Sequence, residues 1–154
     1  MALELNIDSI DAKSIKEKAE QCYASGGFGC GESVVVTLIK ELKLDAPIEM
    51  VSLASGFSAG VGGAGCTCGA VAGGIMILGL VFGRYEPNEP GGAIAKELSK
   101  ELHNAFRDDH RAICCRILTK GLPPGSPERK AQCISFVGDV AEKVCNIIKR
   151  EKEL

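Results

Sequence analysis

The chain has 154 residues, 45% of them hydrophobic and 25% charged, with a net charge of −2. That length suits a single domain spanning 1–154 with a sizeable core. The weak net charge offers no basic field for nucleic acid, and the absence of Trp beside only two Tyr leaves no stacking platform, so nucleic-acid binding is excluded as a function class.

The opening stretch MALELNIDSIDAKSIKEK is polar and lacks the basic start and apolar run of a secretory signal, so a cytoplasmic chain with reduced thiols is expected. Eight cysteines in that setting point to metal binding or redox chemistry rather than a disulfide framework. Ile15, Ala19, Cys22 and Tyr23 form a helical stripe that ends at Ser25-Gly26-Gly27. A second helix is expected from Glu32 to Leu42, where Val35, Leu38, Ile39 and Leu42 keep the period despite the β-branched run. Pro47 closes it, and a glycine-rich loop follows. An apolar helix then runs from about Cys68 to Leu80, stopped by Gly83. Val51 to Gly83 carries no charge, which raises the question of a membrane span. Its strongly apolar part, Ala70–Phe82, has the length of a buried core helix, so no span is expected.

Glu86 to Gly92 reads as a turn. Beyond it Ile94, Leu98, Leu102, Ala105 and Phe106 mark a helix, and Asp108 or Asp109 is placed to cap a separate helix reaching Leu118. Ser126-Pro127 opens the last helix in the favoured order of cap and then proline. Its stripe is Ile134, Val137, Ala141, Val144 and Ile148, with Lys149 and Arg150 at the negative end of the dipole. The expected fold is all-α: a compact bundle of about five to six helices, with a Gly-rich loop before a buried apolar helix.

Cys22 and Cys145 fall on apolar stripes and read as small hydrophobes. Cys30, Cys68 and Cys133 sit at or near predicted helix N-termini, where free N–H groups and the dipole favour thiolate. Cys115 is expected inside its helix beside Cys114, with Arg111 and Arg116 near in sequence. There is no C-x-x-C, which removes a thioredoxin dithiol, a zinc ribbon and a ferredoxin run. Four thiolates from distant segments can still converge as an iron–sulfur or a zinc site. His110 and Cys114 lie four apart and could share a helix face, but a solvated histidine within RDDHR is the preferred reading. Gly60, Gly62 and Gly65 fit G-x-G-x-x-G literally, yet no strand precedes them, so the dinucleotide fingerprint is set aside. A catalytic Cys–His pair is likewise set aside, since nothing in the sequence brings a histidine to Cys68.

The segment GCTCGAVAGG, with Cys30 upstream and Cys115 and Cys133 downstream, resembles the redox-active family named for the pattern C_GCAxxG_C_C. The resemblance runs from about Ala19 to Ala141. It rests on GFGCGESVV at Cys30, CGAVAG at Cys68 to Gly73, Cys115-Arg116, and Cys133. The chain departs from the family in reading GCGE where NCAQ is usual, and in carrying Cys66 and Cys114 as additional thiols. The resemblance implies a small helical redox domain similar to the iron–sulfur domain of split-Soret cytochromes. It also implies a 2Fe–2S cluster held by Cys30, Cys68, Cys115 and Cys133, with electron transfer to a redox partner protein. Gly65, Gly69, Gly73 and Gly74 would then let backbone approach the cluster and its sulfurs. Two alternatives stay open: a thiol–disulfide protein in which Cys68 attacks and another cysteine resolves, and a structural zinc site on the same four thiolates. The uncharged Gly-rich surface could serve a homodimer.

Overall fold

The layout of the computed structural model, which describes residues 5–153, follows from one helix that has no polar face. That helix, Gly69–Phe82, is apolar all round, and such a helix is stable only when other elements cover it on several sides. In chain order the helices are α1 (Ala12–Ala24), α2 (Cys30–Glu41), the single turn α3 (Ser58–Val61), α4 (Gly69–Phe82), α5 (Gly91–His110), the single turn α6 (Cys115–Leu118) and α7 (Pro127–Glu153). Helix α4 packs against α2, α5 and α7, and α1 lies along α7 and α2. Five long helices and two single turns make up the expected all-α bundle, with no strand among the described residues. No helix of the described residues is long and apolar enough to cross a membrane. Met1 to Glu4, the start of the polar N-terminal stretch, lie outside the described residues.

The core is one cluster centred on Leu38, Ile77, Leu78, Leu102, Phe106 and Ile148. Each such side chain contributes about 1.5–3 kcal/mol on leaving water. Local signals set the ends of the helices. Asp11 accepts a hydrogen bond from Ser14 N–H at 3.1 Å at the start of α1, and Ser126 Oγ accepts one from Arg129 N–H at 3.2 Å ahead of Pro127. At α2, the Gly29 N–H donates to Glu32 Oε1 at 3.0 Å, while Glu32 Oε2 accepts from Ser55 Oγ at 3.1 Å.

Two expectations are corrected. No separate helix runs from Asp108 or Asp109 to Leu118: α5 continues to His110, because Arg111 N–H still bonds Arg107 O at 2.6 Å. The chain then turns at Arg111, whose φ is 68°, so His110 and Cys114 do not share a helix face. Residues 48–57, expected to begin a loop, form an extended 3-10 helix, Ile48–Phe57, leaving the glycine-rich connection shorter than expected. Ile94 lies in α5, as expected, and is exposed; the buried stripe of that helix begins at Leu98.

The crossing of α2 and α4 is backbone against backbone. A methyl group added at Gly73 would lie 2.6 Å from Gly31 O, and one added at Gly31 would lie 2.7 Å from Gly69 O. By contrast, nothing lies within 4 Å of the corresponding point at Gly79. Gly73→Val is therefore expected to cost about 1–3 kcal/mol through forced separation of the helices. Gly79→Ala is expected to gain up to about 1 kcal/mol of helix propensity. Urea denaturation measures both, and equal effects would show that the crossing is not the tight point.

Candidate metal centre

A cavity of about 300 Å³ opens where α2, α4, α6 and α7 meet, and Cys30, Cys68, Cys115 and Cys133 all line it. Each comes from a different element. Cys30 is the first residue of α2, Cys68 is the residue capping α4, and Cys115 is the first residue of α6. Cys133 differs from expectation: it lies in the second turn of α7, well past the Pro127 start. The dipole therefore does not act on it as it does at a terminus. Cys115, expected inside a helix, opens one instead. Cys22, Cys66, Cys114 and Cys145 do not line the cavity.

Two devices hold the sulfurs together. The first is a short antiparallel zip between the glycine-rich segment and the chain ahead of α6, with Cys68 N–H donating to Ile113 O at 2.8 Å, Cys115 N–H to Cys66 O at 2.6 Å and Arg116 N–H to Gly65 O at 3.0 Å. It fixes Cys68 against Cys115. The second is the absence of side chains. A methyl group at Gly69 would overlap the Cys30 sulfur, and one at Gly60 would lie 2.6 Å from Cys115 Cβ.

The approach to the cavity is strained. Ala59, Gly60, Val61, Gly62 and Gly63 form an unbroken run of positive φ, at 56°, 70°, 58°, 67° and 87°. An L-residue in that region costs about 1–2 kcal/mol, and a β-branched residue such as Val61 is rarely found there. Strain of this kind persists where surrounding structure imposes it, and it collects at functional sites. Here it has a visible use, since it turns the Ala59 N–H toward the Cys30 sulfur.

Burial dominates the electrostatics. Cys68 is 6% exposed, and burial pushes its thiol up to about 12 against the opposing pull of the Val71 and Ala70 N–H groups at the start of α4. Burial also raises Cys30, opposed by the N–H groups of Gly31 and Ala59. Cys133 is raised by burial and then by Cys30 and Cys115, with Arg129 and the Tyr23 hydroxyl acting the other way. Buried thiols that oppose one another's ionisation stay protonated until a cation replaces their protons. The arrangement is suited to holding a cation and poorly suited to presenting a free thiolate.

Sequence reasoning missed several residues of this site. Arg129 lines the cavity one helical turn before Cys133, a spacing visible in the sequence. Tyr23 was read only as part of an apolar stripe; Lys130 Nζ donates to its carbonyl at 2.9 Å and stands 3.8 Å from its ring centre. His110 Nε2 lies 2.9 Å from Asp139 Oδ2, and its ring packs on Phe136, which lines the cavity. Asp109, His110 and Asp139 fall within 4.8 Å of one another, but Lys143 Nζ bonds both carboxylates at 2.6 Å, making this a closed ion-pair network. Among the described residues, no three thiols come within that same distance.

The chain matches, over residues 28–147, the model of the family described as "Putative redox-active protein (C_GCAxxG_C_C)", and it belongs to that family. In fold it is similar to the split-Soret cytochrome c from Desulfovibrio desulfuricans ATCC 27774, whose structure is described as having a novel iron centre. The TM-score is 0.72 at 21% identity, covering 94% of this chain and 70% of that one. No curated protein matches the chain.

Burial orders the thiols in the metal-free, reduced protein. Cys66 is exposed, whereas Cys68 and Cys145 are buried with thiols pushed up to about 12. Alkylation at pH 8, followed by mass spectrometry, is expected to label Cys66 first. Cys68 and Cys145 should be slower by about a hundredfold or more, since the thiolate is the reacting form. Rapid labelling of Cys68 would contradict the buried placement.

Proposed function

We propose that the protein binds a 2Fe–2S cluster through Cys30, Cys68, Cys115 and Cys133 and serves in one-electron transfer with a redox partner. The observation that carries this reading is the shared cavity: four thiols from four separate segments line one space of about 300 Å³. The fold likeness to a cytochrome described as having an iron centre, and membership of a redox-active family, support it.

The donor set fits such a group. A thiolate pocket suits iron–sulfur clusters and zinc alike, so spacing must choose between them. Tetrahedral zinc at about 2.3 Å from each sulfur needs all four sulfurs about 3.8 Å apart. A cluster, in which different irons take different sulfurs, accommodates thiols that, among the described residues, do not gather three together within 4.8 Å. When bound, the cluster supplies one-electron chemistry. The N–H groups of Gly31 and Ala59 at Cys30, and of Ala70 and Val71 at Cys68, stabilise the negative charge the sulfurs then carry. Arg129 and the Tyr23 hydroxyl do the same at Cys133. The apolar walls from Ala70, Leu118 and Phe136 limit access of water.

A thiol–disulfide role for Cys68 has less support. An attacking cysteine needs exposure and thiolate character, and Cys68 has neither.

Protein purified without oxygen, or reconstituted with iron and sulfide, is expected to be brown, with two irons and two sulfides per chain as set by the cluster type. Serine at position 30, 68, 115 or 133 should abolish or shift the visible bands, while Cys22→Ser, Cys66→Ser, Cys114→Ser and Cys145→Ser should keep them. Stoichiometric zinc with no colour after reconstitution would overturn the reading.

A further inference from the structure

Beside the cysteine cavity lies a second groove of about 420 Å³, with Cys115, Thr119, Pro124 and Arg129 shared between the two. Gly63 to Gly65 and Arg116 form its outer wall. The walls of this mouth are electrically lopsided. The wall from residues 57–69 contains no charged residue. The facing wall carries Arg116 and Arg129, and the segment 111–130 that supplies it holds Arg111, Arg116, Lys120, Arg129 and Lys130 against Glu128, a net +4 in a chain of net −2. Among the described residues none of these five cations is ion-paired, whereas Lys16, Lys18, Arg107, Lys143 and Arg150 all are. Ile117, next to Arg116 in sequence, is 61% exposed. An exposed apolar side chain beside unpaired cations is a feature of docking surfaces rather than of a plain solvated face.

We propose that this rim is the docking face for an acidic electron-carrier protein. The inference rests on the cluster reading, because the groove shares Ala59, Cys115, Thr119, Pro124 and Arg129 with the cavity that the four cysteines line. On docking, one electron leaves the partner's reduced centre and is taken up at the cysteine-held centre, so the partner is oxidised by one electron. No bond breaks and no proton is required. Opposite charge steers the encounter and sets the orientation, and its effect fades as salt rises.

The test uses the full chain as purified, with iron content and visible spectrum recorded on every sample, and an immobilised acidic 2Fe–2S ferredoxin as the probe. Binding is measured by surface plasmon resonance between 20 and 200 mM salt, choices that span the range where screening changes, about 20 to 7 Å. The double variant Arg116→Glu, Lys120→Glu is expected to weaken binding at least about tenfold at low salt. Lys13→Glu, Lys96→Glu makes the same change in net charge on exposed residues elsewhere and should alter binding less than about twofold. Arg116 Nη2 also donates to Ala64 O at 3.0 Å, so Lys120→Glu alone serves as a second rim variant that leaves that bond in place. Equal effects of the rim and control variants, or binding that ignores salt, would overturn the docking face. A colourless, iron-free protein that still shows the rim-specific contrast would sink the cluster reading alone.

Discussion

The distance between the start of α2 and the start of α4 governs this end of the molecule. Gly31 and Gly73 let the two backbones meet with no side chain between them, and Gly69 leaves room for the Cys30 sulfur. Helix packing normally sets axes 8–10 Å apart through interlocked side chains. Replacing those side chains with backbone brings two helix N-termini together, and with them two sets of unpaired N–H groups. The apolar character of α4 follows from the same requirement, since a helix pressed on by α2, α5 and α7 has no side left for water.

The left-handed run at Ala59 to Gly63 belongs to the same economy of space. The observed turn directs the Ala59 N–H to the Cys30 sulfur and sets Gly60 against Cys115. Two residues in the run are not glycine, so the fold holds strain of a few kcal/mol at the lip of the site. The antiparallel zip from Gly65 to Cys68 against Ile113 to Arg116 is what opposes its release. Strain and zip together hold Cys115 beside Cys68 although the two are far apart in sequence.

Much of this was legible in the residues, and the rest was hidden for definite reasons. The stripes of α1, α2 and α7 and the capping Ser126-Pro127 are strong periodic or chemical signals, and those helices lie close to where they were expected. The apolar α4 announced itself by length and composition. The break at Arg111 did not, because a non-glycine residue in the left-handed region leaves no mark in a single sequence, and Asp108-Asp109 imitates a cap. Ala59 and Val61 are silent for the same reason. The 3-10 stretch from Ile48 to Phe57 has only Ala54 buried, so it carries no periodic apolar face to detect. That Cys30, Cys68, Cys115 and Cys133 line one cavity was implied by the family resemblance, whereas their spacing left it merely open. The parts played by Arg129, Tyr23 and Ala59 depend on how separate segments meet.

Burial and charge at this site pull in opposite directions, and their balance separates the chemistries open to four cysteines. A nucleophilic thiol needs water access and a stabilised thiolate. Here burial outweighs every N–H group directed at Cys30 and Cys68 and outweighs Arg129 at Cys133. Those donors are too weak to ionise the thiols alone, yet they are well placed to stabilise sulfurs whose protons a metal has already displaced. Arg129 lines both the cavity and the groove beside it, and the segment 111–130 carries four further cations. A negatively charged centre in this cavity would lie beside Arg129 and the apolar walls of Ala70, Leu118 and Phe136.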